Sequence, residues 1–290
     1  MRKHAEGLHN LTEFLQEFQL HDFNIPAKVE IYEQRFKLNE LLSQELIEDK
    51  IGGSKNLITR TVSPIEGKPY AFEISDLARL HWLALTRKSI NILEFGSGYS
   101  TLIFAHAMKL LKDDYSDWVG KNLRVEKPFH VYSVEENYLF AEITAKRLGS
   151  DHEGLVTIHP TSVELSTFND QFCTFYAQVP NISPDLIYLD GPSQFATHQS
   201  IRGFSIASVS RMPMSGDILA MEFFLEPGTL IIVDGRSANA QFLKYHLKRN
   251  WSYMHDFEGD YHIFELKDPA LGKLNKAKLQ FCLDGKYLLN

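Results

Sequence analysis

The run Asn91-Ile92-Leu93-Glu94-Phe95-Gly96-Ser97-Gly98-Tyr99-Ser100-Thr101 joins an apolar strand to an acid, a Gly-x-Gly turn and a hydroxyl-led helix start. Gly96 and Gly98 remove side chains where a backbone must come close to a flat ligand. A dinucleotide fingerprint would continue as Gly-x-Gly-x-x-Gly, but Thr101 stands where its last glycine belongs. Pyrophosphate favours bare amides with no anion nearby, and Glu94 directly precedes the turn. That carboxylate suits a nucleoside bearing a cationic amino group and a sulfonium better than one bearing phosphates. Ser97, Tyr99, Ser100 and Thr101 would complete the contact.

Three more acids stand at strand ends. Tyr132-Ser133-Val134 leads into Glu135, placed to accept hydrogen bonds from ribose hydroxyls, and Glu136 reads as a solvated carboxylate at the following helix start. Leu186-Ile187-Tyr188-Leu189 runs into Asp190-Gly191-Pro192, and Leu230-Ile231-Ile232-Val233 into Asp234-Gly235-Arg236. Neighbouring strands lie about 4.8 Å apart, so adjacent strands would set Asp190 and Asp234 close together. Close like charges need a proton, an arginine or a cation between them. Arg236 can be that partner, a divalent metal on the two carboxylates is the other choice, and Asp234 as a plain helix cap is the third. The loop of residues 193–215 offers His198 as a general base, and Arg202 and Arg211 as holders of an anionic or sugar substrate. His255 and His262 show no metal-ligand pattern.

The elements that must position these groups alternate. Residues 8–48 have helical spacing, broken at Pro26 and ended by Gly52-Gly53-Ser54, and 55–73 read as irregular around Pro64 and Pro69. Ser75 is placed to cap a helix through Leu85. Strands are predicted at 90–95, 130–134, 155–159, 185–189 and 229–233. Helices are predicted at 101–111, through Leu148, at 163–178, 216–225 and 237–249. Residues 112–128 read as a solvated insertion. Trp251–Phe257 and Tyr261–Leu266 flank Glu258-Gly259-Asp260 as a hairpin. Alternation of this kind implies an α/β fold, a mainly parallel sheet with helices on both faces and ligands beyond the carboxyl ends of the strands.

Composition sets limits. A net charge of −7 over 290 residues speaks against a nucleic-acid partner. Cys173 and Cys282 are too few for a disulfide framework. The residues after Met1 lead into an amphipathic segment without a secretory h-region, and no apolar run reaches the roughly 20 residues of a bilayer span. A cytoplasmic protein with no membrane partner is the expectation.

These residues resemble the class I S-adenosylmethionine-dependent methyltransferases over residues 75–267. Leu93–Thr101 is similar to the family's first motif, Val131–Asn137 to its second and Tyr188–Pro192 to its fourth-strand motif. The resemblance implies a Rossmann-like seven-stranded sheet of order 3-2-1-4-5-7-6, in which the terminal hairpin is the antiparallel pair. It implies S-adenosylmethionine as cofactor, with Glu94 orienting the methionine end, Glu135 holding the ribose and Asp190 nearest the transferred methyl. The Asp-Gly strand ends are similar to those of O-methyltransferases acting on sugars and polysaccharides. The pair of acids is also similar to the metal-dependent catechol-type enzymes, but these usually follow the second Asp with Asn, where this chain has Gly235 and Arg236, so a metal is not favoured. The expected organisation is a helical cap over residues 1–74, a cofactor domain over 75–267 and a tail over 268–290. The cap would cover the crevice or form a homodimer contact. The expected acceptor is a small molecule or sugar. A catalytically silent binding or scaffold protein on the same fold is the first alternative, and a nicotinamide-dependent oxidoreductase the second.

Overall fold

The computed structural model describes residues 10–43, 72–152 and 154–289. The expectations for residues 52–54 and 55–71 lie outside that set. The chain runs through α1 (10–16), a 3-10 turn (Leu20–Asn24), α2 (Pro26–Phe36), α3 (Leu38–Ser43), α4 (Ile74–Thr86), β1 (Asn91–Phe95), α5 (Tyr99–Asn122) and β2 (His130–Glu135). It continues through α6 (Tyr138–Leu148), β3 (Val156–Pro160), β4 (Val163–Phe168), β5 (Gln171–Tyr176), β6 (Leu186–Leu189), α7 (Asp217–Met221) and β7 (Leu230–Asp234). Helix α8 (Ser237–His246), β8 (Trp251–Asp256), β9 (Tyr261–Leu266) and α9 (Gly272–Leu283) complete it.

Seven strands form one sheet in the order β3-β2-β1-β6-β7-β9-β8, and β9 alone runs against the other six. Strands β1 and β6 are buried along their whole length, as unbroken apolar runs in a sheet covered on both faces must be. Alternate side chains feed two cores. Ile92, Val131, Tyr188 and Ile232 meet α4, α5 and the N-terminal helices. Leu93, Ile187, Leu189 and Val233 meet α7, α8 and the β4–β5 hairpin.

Residues 10–43 join the first core through Leu15, Phe18, Phe23 and Tyr32. Their polar anchor is a chain in which the Tyr32 hydroxyl meets His81 Nδ1 at 2.9 Å and His81 Nε2 meets His106 Nδ1 at 2.9 Å. Asn24 also reaches the Asp256 carboxylate at 3.2 Å. The segment after β9 carries α9, whose Phe281 and Cys282 are buried against the same core.

The structure corrects several expected elements. Ser75 lies inside the first turn of α4, whose N-cap is the extended Glu73. The polar residues after 111 are not an insertion. Helix α5 continues to Asn122 because Val119 is buried and Tyr115 and Trp118 pack on Phe281. Helix α8 stops at His246, where Leu247 turns extended. The helix expected at 163–178 is the antiparallel β4–β5 pair. Asn169 and Asp170, both at positive φ (47° and 63°), make its two-residue turn.

Candidate active site

The register sets Phe95 beside Val134 and Leu189, and Leu189 beside Val233, so Gly96, Glu135, Asp190 and Asp234 open along one edge of the sheet. Antiparallel β9 brings Tyr261 beside Asp234, and Gly235 N donates to Asp260 O at 2.8 Å, so the β8–β9 turn borders the same crevice.

Glu94 is fully buried beneath the glycine turn. Ser100 Oγ donates to its Oε1 at 2.5 Å, and Thr101 Oγ1 donates to its Oε2 at 2.6 Å while accepting from Gly98 N at 3.0 Å. The carboxylate therefore fixes the start of α5 and reaches a ligand only through those hydroxyls and the backbone. Burial pushes its pKa up to about 7 against the pull of the hydroxyls. Gly96 has φ +105°, and a Cβ there would lie 3.3 Å from Gly191 N. A Cβ on Gly191 would lie 2.7 Å from Gly96 N and 2.9 Å from Phe95 C, so the loops after β1 and β6 touch backbone to backbone. Over Gly98 there is open space within 4 Å of the Cβ position.

Glu135 is 3% exposed, its Oε2 accepting from Ser97 Oγ at 2.8 Å and its Oε1 from Asn137 N at 2.8 Å. Burial, with Glu136 next to it, pushes its pKa up to about 8. Glu136 does not serve the helix start. Asn137 caps α6 through Leu139 N and Phe140 N. Glu136 instead accepts from Ser193 N at 2.8 Å and Tyr176 Oη at 3.3 Å, tying β5 and the loop after β6 to the crevice.

Asp190 projects into the crevice with 54% of its side chain exposed. The crevice walls strip solvent and raise its pKa, and Arg236 opposes them. Arg236 Nε lies 3.5 Å from Asp190 Oδ1, its Nη1 donates to Pro192 O at 2.8 Å and its Nη2 donates to Asp190 O. Asp234 Oδ2 accepts from the buried Tyr188 hydroxyl at 2.9 Å. Burial, then Asp190 and Asp76, push the Asp234 pKa up to about 7. Of the three ways to relieve the pair, the arginine is present in this arrangement, and burial favours the protonated form of Asp234. A metal fits the donor set poorly. Arg236 already engages Asp190, and no group of three His, Cys, Asp or Glu side chains converges among the described residues.

The sequence reading missed Tyr188, hidden in an apolar strand, and Asp76, which ion-pairs with the buried Arg79 at 2.7 Å where the start of α4 meets the crevice. Their only signal is polarity inside otherwise apolar periodic runs. His198 lies exposed next to Gln199, whose side chain is tied to Leu165 N of β4 at 2.9 Å. No contact joins His198 to Asp190, Asp234 or Arg236.

With the β4–β5 hairpin left out of the count, the sheet order is 3-2-1-4-5-7-6, with the glycine turn after the first strand and acids after the second, fourth and fifth. The fold is that of the class I methyltransferases. No family model and no curated protein matches the chain. Among solved structures, a methyltransferase from Podospora anserina with S-adenosylhomocysteine bound is 12% identical, with 91% of this chain and 96% of that one covered at a TM-score of 0.43. An O-methyltransferase from Bacillus cereus in complex with S-adenosylhomocysteine is 14% identical, with 87% and 100% covered at a TM-score of 0.38. An O-methyltransferase from Streptomyces achromogenes involved in tomaymycin synthesis, in complex with S-adenosylmethionine, is 14% identical, with 80% and 99% covered at a TM-score of 0.39. In this chain a hairpin, β4–β5, follows β3 and precedes β6 in sequence and packs on one face of the sheet. No described helix is long and apolar enough to cross a membrane.

Proposed function

We propose that this chain transfers a methyl group from S-adenosylmethionine to an oxygen of a small-molecule or sugar acceptor, by in-line displacement. The observation that carries the reading is the open cradle over Gly98, set between the buried Glu94 and the strand-end Glu135. The cofactor, when bound, supplies a methyl group already activated by its sulfonium. The chain then has to bind, align, exclude water and remove a proton. Glu135 accepts from the Ser97 hydroxyl and backbone N–H and from Asn137 N, and a ribose diol would take the place of the Ser97 hydroxyl as that side chain rotates away. Asp190, the exposed acid, faces the acceptor, while Arg236 fixes the backbone that carries it. Asp234, poised near pH 7, takes the acceptor's hydroxyl proton as the new carbon–oxygen bond forms and the carbon–sulfur bond breaks. His198 has no step in this scheme.

Calorimetry with S-adenosylhomocysteine tests the cofactor reading, because a chain that fails to bind it is not this enzyme. Asp190→Asn should keep that affinity and lose turnover, and undiminished turnover removes Asp190 from the mechanism. The enclosure of Glu135, with both oxygens engaged, favours one second reading, a silent member of the fold. Binding without transfer to any hydroxyl acceptor would select it.

A further inference from the structure

The end of the molecule opposite the crevice carries large apolar side chains left uncovered by the described residues. Phe223 and Phe224, on the 3-10 turn after α7, are 74% and 83% exposed. Leu271 and Leu274, at the start of α9, are 62% and 56% exposed. Hydrogen bonds hold the two segments in one corner, since Asn275 donates to Pro227 O at 3.4 Å and accepts from Leu271 N at 3.0 Å. The chain after α8 joins them, because Lys248 N and Arg249 N both donate to Glu222 Oε1 at 2.8 Å.

The charges at this corner are one-sided. Every nearby acid is engaged. Glu222 holds those amides and Trp251 Nε1 (2.9 Å), Glu226 pairs with Lys278 (2.8 Å) and Asp268 with Arg249 (2.8 Å). Lys248, Lys273 and Lys276 are exposed and have no ion-pair partner among the described residues. At the far end stand Asp76, Glu135, Glu136, Asp190, Asp234 and Asp260. A chain of net charge −7 thus keeps a basic, apolar corner away from its acidic crevice.

We propose that this corner docks on an anionic lipid bilayer surface. Protruding phenylalanines beside free lysines meet both requirements of interfacial binding, apolar insertion and attraction to acidic headgroups. A second copy of the chain fits poorly, because a two-fold contact through this patch would press lysines against lysines. The hollow between Pro227, Lys278 and Leu279 measures 10 Å³, about the room of one water, so it takes no anchoring side chain of a protein partner. The lack of a spanning helix, from which no membrane partner was expected, does not bear on surface docking. With the corner on the bilayer the crevice faces away from it.

Flotation of the full chain with vesicles of phosphatidylcholine, with and without phosphatidylserine, tests the docking. Binding is expected only with phosphatidylserine and should weaken as salt rises. Lys273→Gln with Lys276→Gln should weaken it roughly 25-fold, and Phe223→Ser with Phe224→Ser at least about tenfold, with unfolding temperature as the control for folding. Three results would each overturn it. They are no binding to anionic vesicles, equal binding to soluble polyglutamate, and a dimer in solution that the phenylalanine variants dissolve. The outcome is independent of S-adenosylhomocysteine binding, so either proposal can fail alone.

Discussion

Two glycines separate binding from folding at the residue scale. Gly98 has extended backbone and nothing within 4 Å of a Cβ, so Gly98→Ala should leave the unfolding temperature unchanged while placing a methyl in the cradle. A loss of S-adenosylhomocysteine affinity of about tenfold is expected by calorimetry. Gly191→Ala would drive its Cβ into the Gly96 and Phe95 backbone and should cost about 2 kcal/mol or more of stability in urea unfolding. Tyr188 and Asp234 make a second test. If ionised Asp234 takes the proton, turnover rises with pH through about 7. The Tyr188 hydroxyl donates to the carboxylate and favours its charged form. Tyr188→Phe should therefore move that limb to higher pH, with activity lost at neutral pH and largely regained above about pH 8.5. A pH–rate profile that keeps its wild-type limb would take Asp234 out of the proton path.

Elements were legible where a single period ruled. The apolar runs of β1, β2, β6 and β7, each closing on an acid or a Gly-rich turn, mark the crevice before any coordinates, and so does the β8–β9 pair flanking its glycine. The failures have physical causes. Val163-Glu164-Leu165-Ser166-Thr167-Phe168 alternates as a half-buried strand does, with Val163 and Leu165 inward, but Phe168, Phe172, Phe175 and Tyr176 also satisfy a helical spacing. The deciding signal is the Asn169-Asp170 pair, which only turn chemistry explains. Asp170 adopts φ 63° at a cost that glycine does not meet. Asp170→Gly should raise hairpin and protein stability by about 1 kcal/mol, seen as a higher midpoint in urea at an unchanged slope. A fall in the midpoint would mean that the Asp170 side chain supports the turn. The length of α5 was hidden for another reason. Its last turns pack on Phe281, some 160 residues later, a contact that no local pattern announces.

Across the whole molecule, two sets of buried titratable groups pull stability in opposite directions with pH. Glu94, Asp217 and Asp234 are pushed up to about 7 and Glu135 to about 8, all mainly by burial. The folded state therefore keeps protons that the unfolded chain has lost, and stability falls as pH rises from about 4, where the unfolded carboxyls ionise, to about 8. His106, His130 and His262 are pushed down to about 4 by burial, and His81 lies well below its usual range. Their contribution is complete above about 6.5 and is lost as pH falls toward 4. Between about pH 4 and 6.5 the two slopes oppose each other, and above about 6.5 only the carboxyl groups still titrate, so the unfolding temperature should change little below about pH 6.5 and fall between about 6.5 and 8. His81 and His106 form the polar anchor of the N-terminal helices, so their charging as pH falls toward 4 should loosen those helices first, visible as early amide exchange over residues 10–36. The alkaline limb belongs to the crevice, and Glu135→Gln isolates it. Its amide oxygen can keep the Asn137 N–H and its amide nitrogen can donate to Ser97 Oγ, so the fold retains both bonds without a buried charge. The variant should unfold several degrees higher than wild type near pH 8.5 and bind S-adenosylhomocysteine more weakly. That pairing is expected where a carboxylate is kept buried for a ligand at a cost to the fold, and a variant that gains stability with full affinity would show that Glu135 serves only the turn.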